Sequence, residues 1–196
     1  MSVRSPAGPV WIVGERLPSL ETPRLRLRWL DDRDVAALQS VFSDPEVLRY
    51  WGGDPTPDEA AARRLLEQIQ DGFVRRELFQ WGIARRDDDA VVGTCTLTRI
   101  DSRNRRAEVG FALGRAHWGH GYAGEAMRRL LALAFGELDL IRLEADVDPR
   151  NVRSIAVLER LGFRREGLLR ERWLVAGEAQ DSLVHGLLRR EWSGSS

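Results

Sequence analysis

The chain has 196 residues, enough for one domain with a sizeable core. Its 30 basic and 30 acidic residues cancel, which excludes the basic excess of a general binder of nucleic acid or anionic membrane. Every basic residue is arginine, and the one cysteine, Cys95, excludes an internal disulfide framework and suits a reducing compartment such as the cytoplasm.

No apolar stretch approaches the roughly 20 residues that span a bilayer, so no membrane segment is expected. The N-terminus lacks the apolar core of a secretory signal. Residues 1–19, with Pro6, Gly8, Pro9 and Pro18, read as a tail or loosely packed arm. Residues 20–192 read as one domain and 193–196 as a frayed end.

Leu25 to Leu30 alternates apolar and charged residues, the pattern of a half-buried strand. Asp31–Asp34 puts acids at a helix start, and Val35, Leu38 and Phe42 recur at helical spacing. Pro45 interrupts, and Tyr50-Trp51-Gly52-Gly53 forms an aromatic loop. Thr56-Pro57-Asp58-Glu59 reads as a capping box with proline at the first helical position, opening a helix to about Ile69 or Phe73.

Three strands follow, over 79–85, 91–98 and 106–113, joined by polar turns too short for anything but antiparallel hairpins. Cys95 lies in the apolar run of the second, as a core thiol. A helix is predicted over 121–135, a strand over 141–147 and a helix over 151–161, stopped by Gly162. Strands over 163–174 and 182–188, joined around Ala176-Gly177-Glu178, complete the order β-α-α-β-β-β-α-β-α-β-β.

The chemistry concentrates in Trp118-Gly119-His120-Gly121-Tyr122-Ala123-Gly124, which fits two phosphate-binding patterns. As Gly119-x-Gly121-x-x-Gly124 it is a dinucleotide fingerprint, with Glu144 as its acid. That reading requires a glycine directly after a strand, and here Gly114 to Trp118 intervene. It also requires alternating strands and helices, whereas the preceding strands form a meander. As x-x-Trp-Gly-x-Gly-Tyr-Ala at a helix start, the same stretch looks like an acyl-CoA pyrophosphate loop.

Five segments in order carry a resemblance to a known family. They are Leu20-Glu-Thr-Pro-Arg-Leu-Arg-Leu-Arg28, Ala107-Glu-Val-Gly-Phe-Ala-Leu113, Trp118-Gly-His-Gly-Tyr-Ala-Gly-Glu-Ala126, Val147-Asp-Pro-Arg-Asn-Val-Arg-Ser154 and Leu158-Glu-Arg-Leu-Gly-Phe-Arg-Arg-Glu-Gly167. Together they resemble the GNAT superfamily of N-acetyltransferases, within it the RimJ/RimL type that acetylates ribosomal-protein alanines. The resemblance implies an α/β (α+β) fold. Its sheet is mixed, mostly antiparallel and of six to seven strands, with helices on both faces and a splayed parallel strand pair that binds acyl-CoA. One departure stands out. The superfamily loop begins with glutamine or arginine, and that position is Ala116, leaving Arg115 or His117 to supply a side chain to phosphate.

The loop residues Trp118, Gly119, His120, Gly121, Tyr122, Ala123 and Gly124 suit an anion on physical grounds. The first N–H groups of a helix lack internal partners and carry the positive end of its dipole, and glycines let backbone wrap phosphate closely. By resemblance, Phe111, Ala112 and Leu113 form the strand along which the pantetheine arm lies, and a backbone N–H near Phe111 or Ala112 holds the thioester oxygen. Glu108 is the candidate general base; its alternative is a structural carboxylate bonded to a neighbouring arginine or strand. Asp181 and Glu171 are weaker candidates for the base.

Asn151 and Ser154 lie three apart on one helix face, and the resemblance implies a pantetheine-amide contact for Asn151 and a donor to the leaving sulfur for Ser154. Asn151 also reads as a simple helix cap. Tyr50, Trp51, Trp81 and Trp173 are candidates for the acceptor side. His117 and His120 lack further ligands, so no metal is expected, and His185 reads as a core or pocket-wall residue.

Acceptor class follows from acidity. An amine must be neutral to attack, which at pH 7 costs roughly 5 kcal/mol for a lysine (about 10.4) but about 1 kcal/mol for an α-amine (about 7.7–8.0). With this cost, the family resemblance makes a peptide N-terminal α-amine the first expectation. Small amines or amino acids, another acyl donor such as succinyl-CoA, and a non-catalytic acyl-CoA sensor are the alternatives. The expected partners are acetyl-CoA and an amine, with no nucleic acid or membrane, acting on a monomer or homodimer.

Overall fold

The computed structural model describes residues 14–175 and 177–194. The tail expected over 1–19 therefore lies outside the described residues as far as residue 13, as do Ala176 and residues 195–196. Packing begins earlier than the sequence suggests. Leu17 is buried, and the Pro18 carbonyl accepts a 2.9 Å hydrogen bond from the Trp81 indole.

The strands are β1 (Leu20–Glu21), β2 (Leu25–Arg28), β3 (Leu78–Arg85), β4 (Val91–Asp101), β5 (Arg106–Leu113), β6 (Arg142–Val147), β7 (Arg164–Val175) and β8 (Glu178–Leu188). They form one sheet of 8 strands in the order β1-β2-β3-β4-β5-β6-β8-β7. The expected count of six to seven misses β1, a two-residue strand too short to show alternation. β8 begins at 178, not 182, because the hairpin pairs right up to its turn, with Val175 opposite Glu178.

The helices are α1 (Val35–Phe42), α2 (Pro45–Leu48), α3 (Glu59–Val74), α4 (Tyr122–Ala132) and α5 (Val152–Arg160). Pro45 does not break the chain; it is the first residue of the one-turn α2, with the Asp44 carboxylate accepting from the Glu46 N–H. The cap of α3 also falls elsewhere than expected. Asp58 accepts from the Ala61 N–H at 2.7 Å, while Thr56 is buried beneath α1 and its hydroxyl reaches the Gln39 carbonyl. α4 ends in a π-helical turn, Leu133–Glu137.

Helices cover both sheet faces. α4 presents Ala126, Met127, Leu130 and Leu131 to one face, within a core that includes Val109, Leu143, Leu158 and Leu183. α1 and α3 bury Leu38, Phe42, Leu66 and Ile69 against the other. Each fully buried large side chain contributes about 1.5–3 kcal/mol. The entry to α1 is fixed by a buried bidentate pair, in which Arg28 donates to both Asp34 oxygens at 2.8 Å.

All neighbouring strands are antiparallel except β5 and β6. That pair joins only at Arg106–Arg142, Ala107–Leu143 and Glu108–Glu144, although β5 continues to Leu113 and β6 to Val147. Beyond Glu108 the two strands part, and the β6-facing backbone groups of β5 have no strand partner. This opening is the splay that the family resemblance implied.

Gly93 keeps the upper end of β5 in place. A Cβ there would collide with the Ala112 carbonyl and sit 2.9 Å from the Leu113 Cα, and backbone cannot step aside as a side chain can. Gly93→Ala is expected to destabilise the fold by about 1–3 kcal/mol in urea unfolding. An unchanged midpoint would show that β4 and β5 are not locked together there.

Candidate functional site

A cleft of about 1200 Å³ opens where β5 and β6 separate. Phe111, Ala112 and Leu113 form its strand wall, and Trp118, Gly119, Gly121, Tyr122, Ala123 and Gly124 its loop. Asn151 and Ser154 enter from α5, and Tyr50 and Trp51 from the α2–α3 connection. Segments more than a hundred residues apart in the sequence thus line one cleft.

The loop is shaped by backbone. Gly119 and Gly121 lie at φ +81° and +79°, a region in which a side chain is strained. Gly121 is the N-cap residue of α4, and among the described residues no side chain caps the exposed amides of that helix's first turn. The Trp118 indole donates to the Leu113 carbonyl at 2.8 Å, tying the loop to the end of β5. Its ring lies under the Arg153 guanidinium at 4.8 Å.

Arg24 clamps the loop from outside. It donates to the His120 carbonyl at 3.0 Å, covers the Tyr122 ring at 4.9 Å, and pairs with Glu125 in the first turn of α4 at 2.7 Å. Burial would raise the Glu125 carboxyl, but the donors Thr22 and Arg24 outweigh it and hold it below its ordinary range. His120 is placed by its backbone, with its ring stacked on Tyr122 and turned to solvent.

Arg115, Arg128, Arg153 and Arg160 also line the cleft. Arg115 and His117 both stand near the position where the family's loop has glutamine or arginine, and Arg115 is tethered to Asp44 at 3.2 Å. Burial, with the charges of Arg85 and His120, lowers the His117 imidazole from its ordinary value, which disfavours its cationic form. Free helix amides, two left-handed glycines and several guanidiniums make a site suited to a diphosphate.

On α5, the Asn151 side-chain oxygen accepts from the Ser154 N–H at 3.2 Å, so Asn151 does cap the helix. Among the described residues nothing bonds its amide NH₂ or the Ser154 hydroxyl, and both remain available to the cleft.

Glu108 does not line this cleft. It lies three residues before Phe111, about 10 Å along the strand, on the face opposite the buried Ala107 and Val109. Arg99 donates to it at 3.1 Å. Burial pushes the Glu108 carboxyl up, Arg99 and Arg172 pull it down, and Asp146 and Glu144 push it further up; the net shift is upward. Ala112, four residues further along β5 and on the same face as Glu108, does line the cleft.

Two aromatic expectations diverge. Trp173 stands beside the Glu108 group, its indole donating to Asp146 at 3.1 Å and its ring near Arg99 and Arg172. Trp81 is wholly buried in the core and is corrected from substrate wall to structural residue. The whole of β3 between its end residues is buried, so its sequence carries no alternation to separate wall from core. His185 is likewise buried. Arg24, Glu125, Arg153 and Asp146 were not singled out from sequence; the first three lie within the quoted motifs, and only Asp146 lies outside them.

The chain is similar to known acetyltransferases. A family model described as an acetyltransferase (GNAT) domain matches residues 24–164. An uncharacterised N-acetyltransferase, p20, of Bacillus licheniformis is 39% identical over 91% of this chain and 100% of its own. The ribosomal protein uS5-alanine N-acetyltransferase of Escherichia coli is 25% identical over 89% of this chain and 92% of its own. The structure of Mycobacterium smegmatis RimJ in complex with CoA-disulfide superposes with a TM-score of 0.78 at 26% identity, covering 89% of this chain and 87% of that one.

Proposed function

Because the chain belongs to the GNAT acetyltransferase family, and is thus an acetyl-CoA-dependent acyltransferase, we propose that it acetylates the α-amine at a protein or peptide N-terminus. The observation that carries the reading is the parting of β5 and β6 just beyond Glu108, beside a cleft that opens on the N-terminus of α4. The uS5-alanine relative and the lower cost of deprotonating an α-amine favour a peptide terminus over a lysine.

Acetyl-CoA supplies a thioester whose carbonyl carbon takes the amine. The amides of α4 and the cleft arginines hold the diphosphate, and the Asn151 amide NH₂ orients the pantetheine arm. Glu108 accepts a proton from the acceptor's ammonium, directly or through one water, and frees the nitrogen lone pair. A β5 amide near Phe111 or Ala112 donates to the carbonyl oxygen as negative charge builds there. The C–N bond forms, the C–S bond breaks, and the Ser154 hydroxyl gives its proton to the departing sulfur. The second nitrogen proton then leaves through solvent, which also reprotonates Ser154.

Calorimetry with acetyl-CoA, succinyl-CoA and NAD, followed by thiol release with peptides, lysine and small amines, tests this. Acetyl-CoA should bind, and peptides with free N-termini should give the highest kcat/KM. Preference for a small amine would remove the peptide assignment. No affinity for any CoA species in folded protein would remove the transferase.

A further inference from the structure

We propose that Asp146 receives the acceptor's ammonium and so determines that the enzyme selects positively charged acceptors. This assignment rests on the transferase reading above and deepens its acceptor side.

Position comes first. Asp146 is two residues beyond Glu144, the last β6 residue paired with β5. Leu143, Ala145 and Val147 are buried on the opposite face, so Asp146 shares the face of Glu108 and Glu144. Glu108 borders the gap from one strand and Asp146 from the other. The two interact electrostatically, since the charge on Asp146 is one of the causes that raise Glu108.

The carboxylate is held but not satisfied. Ser182, wholly buried on β8, donates its hydroxyl to Oδ1. The Trp173 indole N–H reaches the same oxygen at 3.1 Å. Among the described residues the nearest cation to Oδ2 is the Nε of Arg172, at 4.0 Å, beyond hydrogen-bond reach. Asp34, Asp148 and Glu125 are as buried or more so, and each has an arginine within 2.8 Å. Asp146 is 14% exposed and lacks such a partner. A partly buried carboxylate without a close cation is costly, and a cation delivered by the substrate relieves that cost.

The surroundings suit a cation. The Trp173 ring lies directly beside Asp146, and it already attracts Arg99 at 5.7 Å and Arg172 at 5.3 Å. An ammonium bound at Oδ2 lies on the Glu108 side of the gap. Asp146 therefore binds the charged form of the amine, and Glu108 removes the proton that must leave before attack.

The test uses steady-state thiol release with the tripeptide Ala-Ala-Ala amide at pH 7. Its inactive analogue, with a hydroxyl in place of the α-amine, serves as a competitive inhibitor. Asp146→Asn keeps the shape and an oxygen for Ser182 and Trp173. It is expected to raise the peptide KM about tenfold or more, leaving the KM for acetyl-CoA and the Ki of the hydroxyl analogue within twofold. Trp173→Phe, which keeps a ring but loses the N–H, is expected to raise the peptide KM about threefold, and serves if the first variant fails to fold. An unchanged peptide KM, or an equal loss for the hydroxyl analogue, overturns the assignment of Asp146. Because that outcome requires a working wild-type enzyme, it is distinct from failure of the transferase reading, in which the wild type turns over no amine.

Discussion

Glu108→Gln is expected to lower kcat/KM for the acceptor by about 100- to 10,000-fold while leaving acetyl-CoA affinity unchanged. The amide keeps the size of the side chain and its contact with Arg99, but it cannot take a proton. The unchanged donor affinity follows from position, because Glu108 is not among the residues that line the cleft. The pH dependence provides an internal check. The acid limb of kcat/KM reports the carboxyl of the free enzyme, and burial places it above the ordinary glutamate range. The groups around it act in opposite directions: Arg99 on β4 and Arg172 on β7 lower it, and Asp146 and Glu144 on β6 raise it. Removing a cation therefore moves the limb to higher pH, and removing an anion moves it to lower pH. Arg99→Gln should shift the acid limb upward and Asp146→Asn downward, with pH–rate profiles as the measurement. Shifts in the same direction, or an active Glu108→Gln enzyme, would assign the limb to another group.

Much of the architecture was legible because it depends on local pattern. Alternation in β2, short polar turns around the β3–β5 meander and the helical spacing of Ala126, Leu130 and Leu133 are contained within single windows of sequence. The glycine loop was legible for the same reason: Gly119 and Gly121 are two residues apart and lie directly before the helix that they open. The elements that were misplaced depend on competition between neighbouring candidates. Thr56 and Asp58 are both good caps, and only packing decides; burial of Thr56 beneath α1 leaves Asp58 to accept from Ala61. Trp81 looked like a pocket aromatic because nothing in β3 tells a core strand from a wall strand.

The acceptor side was the least legible part. In sequence, Asp146 is one more polar residue on an alternating strand. Its significance comes from Ser182, 36 residues away, and Trp173, 27 residues away, which converge only when β7 and β8 fold back beside β6. Arg24 and Glu125 are 101 residues apart, and neither alone suggests a clamp on the loop. Long-range convergence of this kind leaves no periodic trace.

Ser154→Ala is expected to cost about 100-fold in kcat, near the lower end for a proton donor, and the deficit should shrink at high pH. The departing thiol should resemble cysteine, with a pKa of about 8.5. A donor therefore helps most below that pH, where sulfur leaves protonated, and least above it, where the thiolate is stable alone. A purely structural serine would give a deficit that does not change with pH. The substitution also separates chemistry from helix stability. Asn151 caps α5 through the backbone N–H of residue 154, which alanine retains. Asn151→Ala removes that cap and should cost about 1 kcal/mol of stability and weaken CoA binding. Ser154→Ala should instead leave the melting temperature close to wild type. The ratio of wild-type to Ser154→Ala kcat, followed from pH 6.5 to 9.5, is the measurement. A flat ratio would transfer the proton-donor role from Ser154 to another group or to solvent.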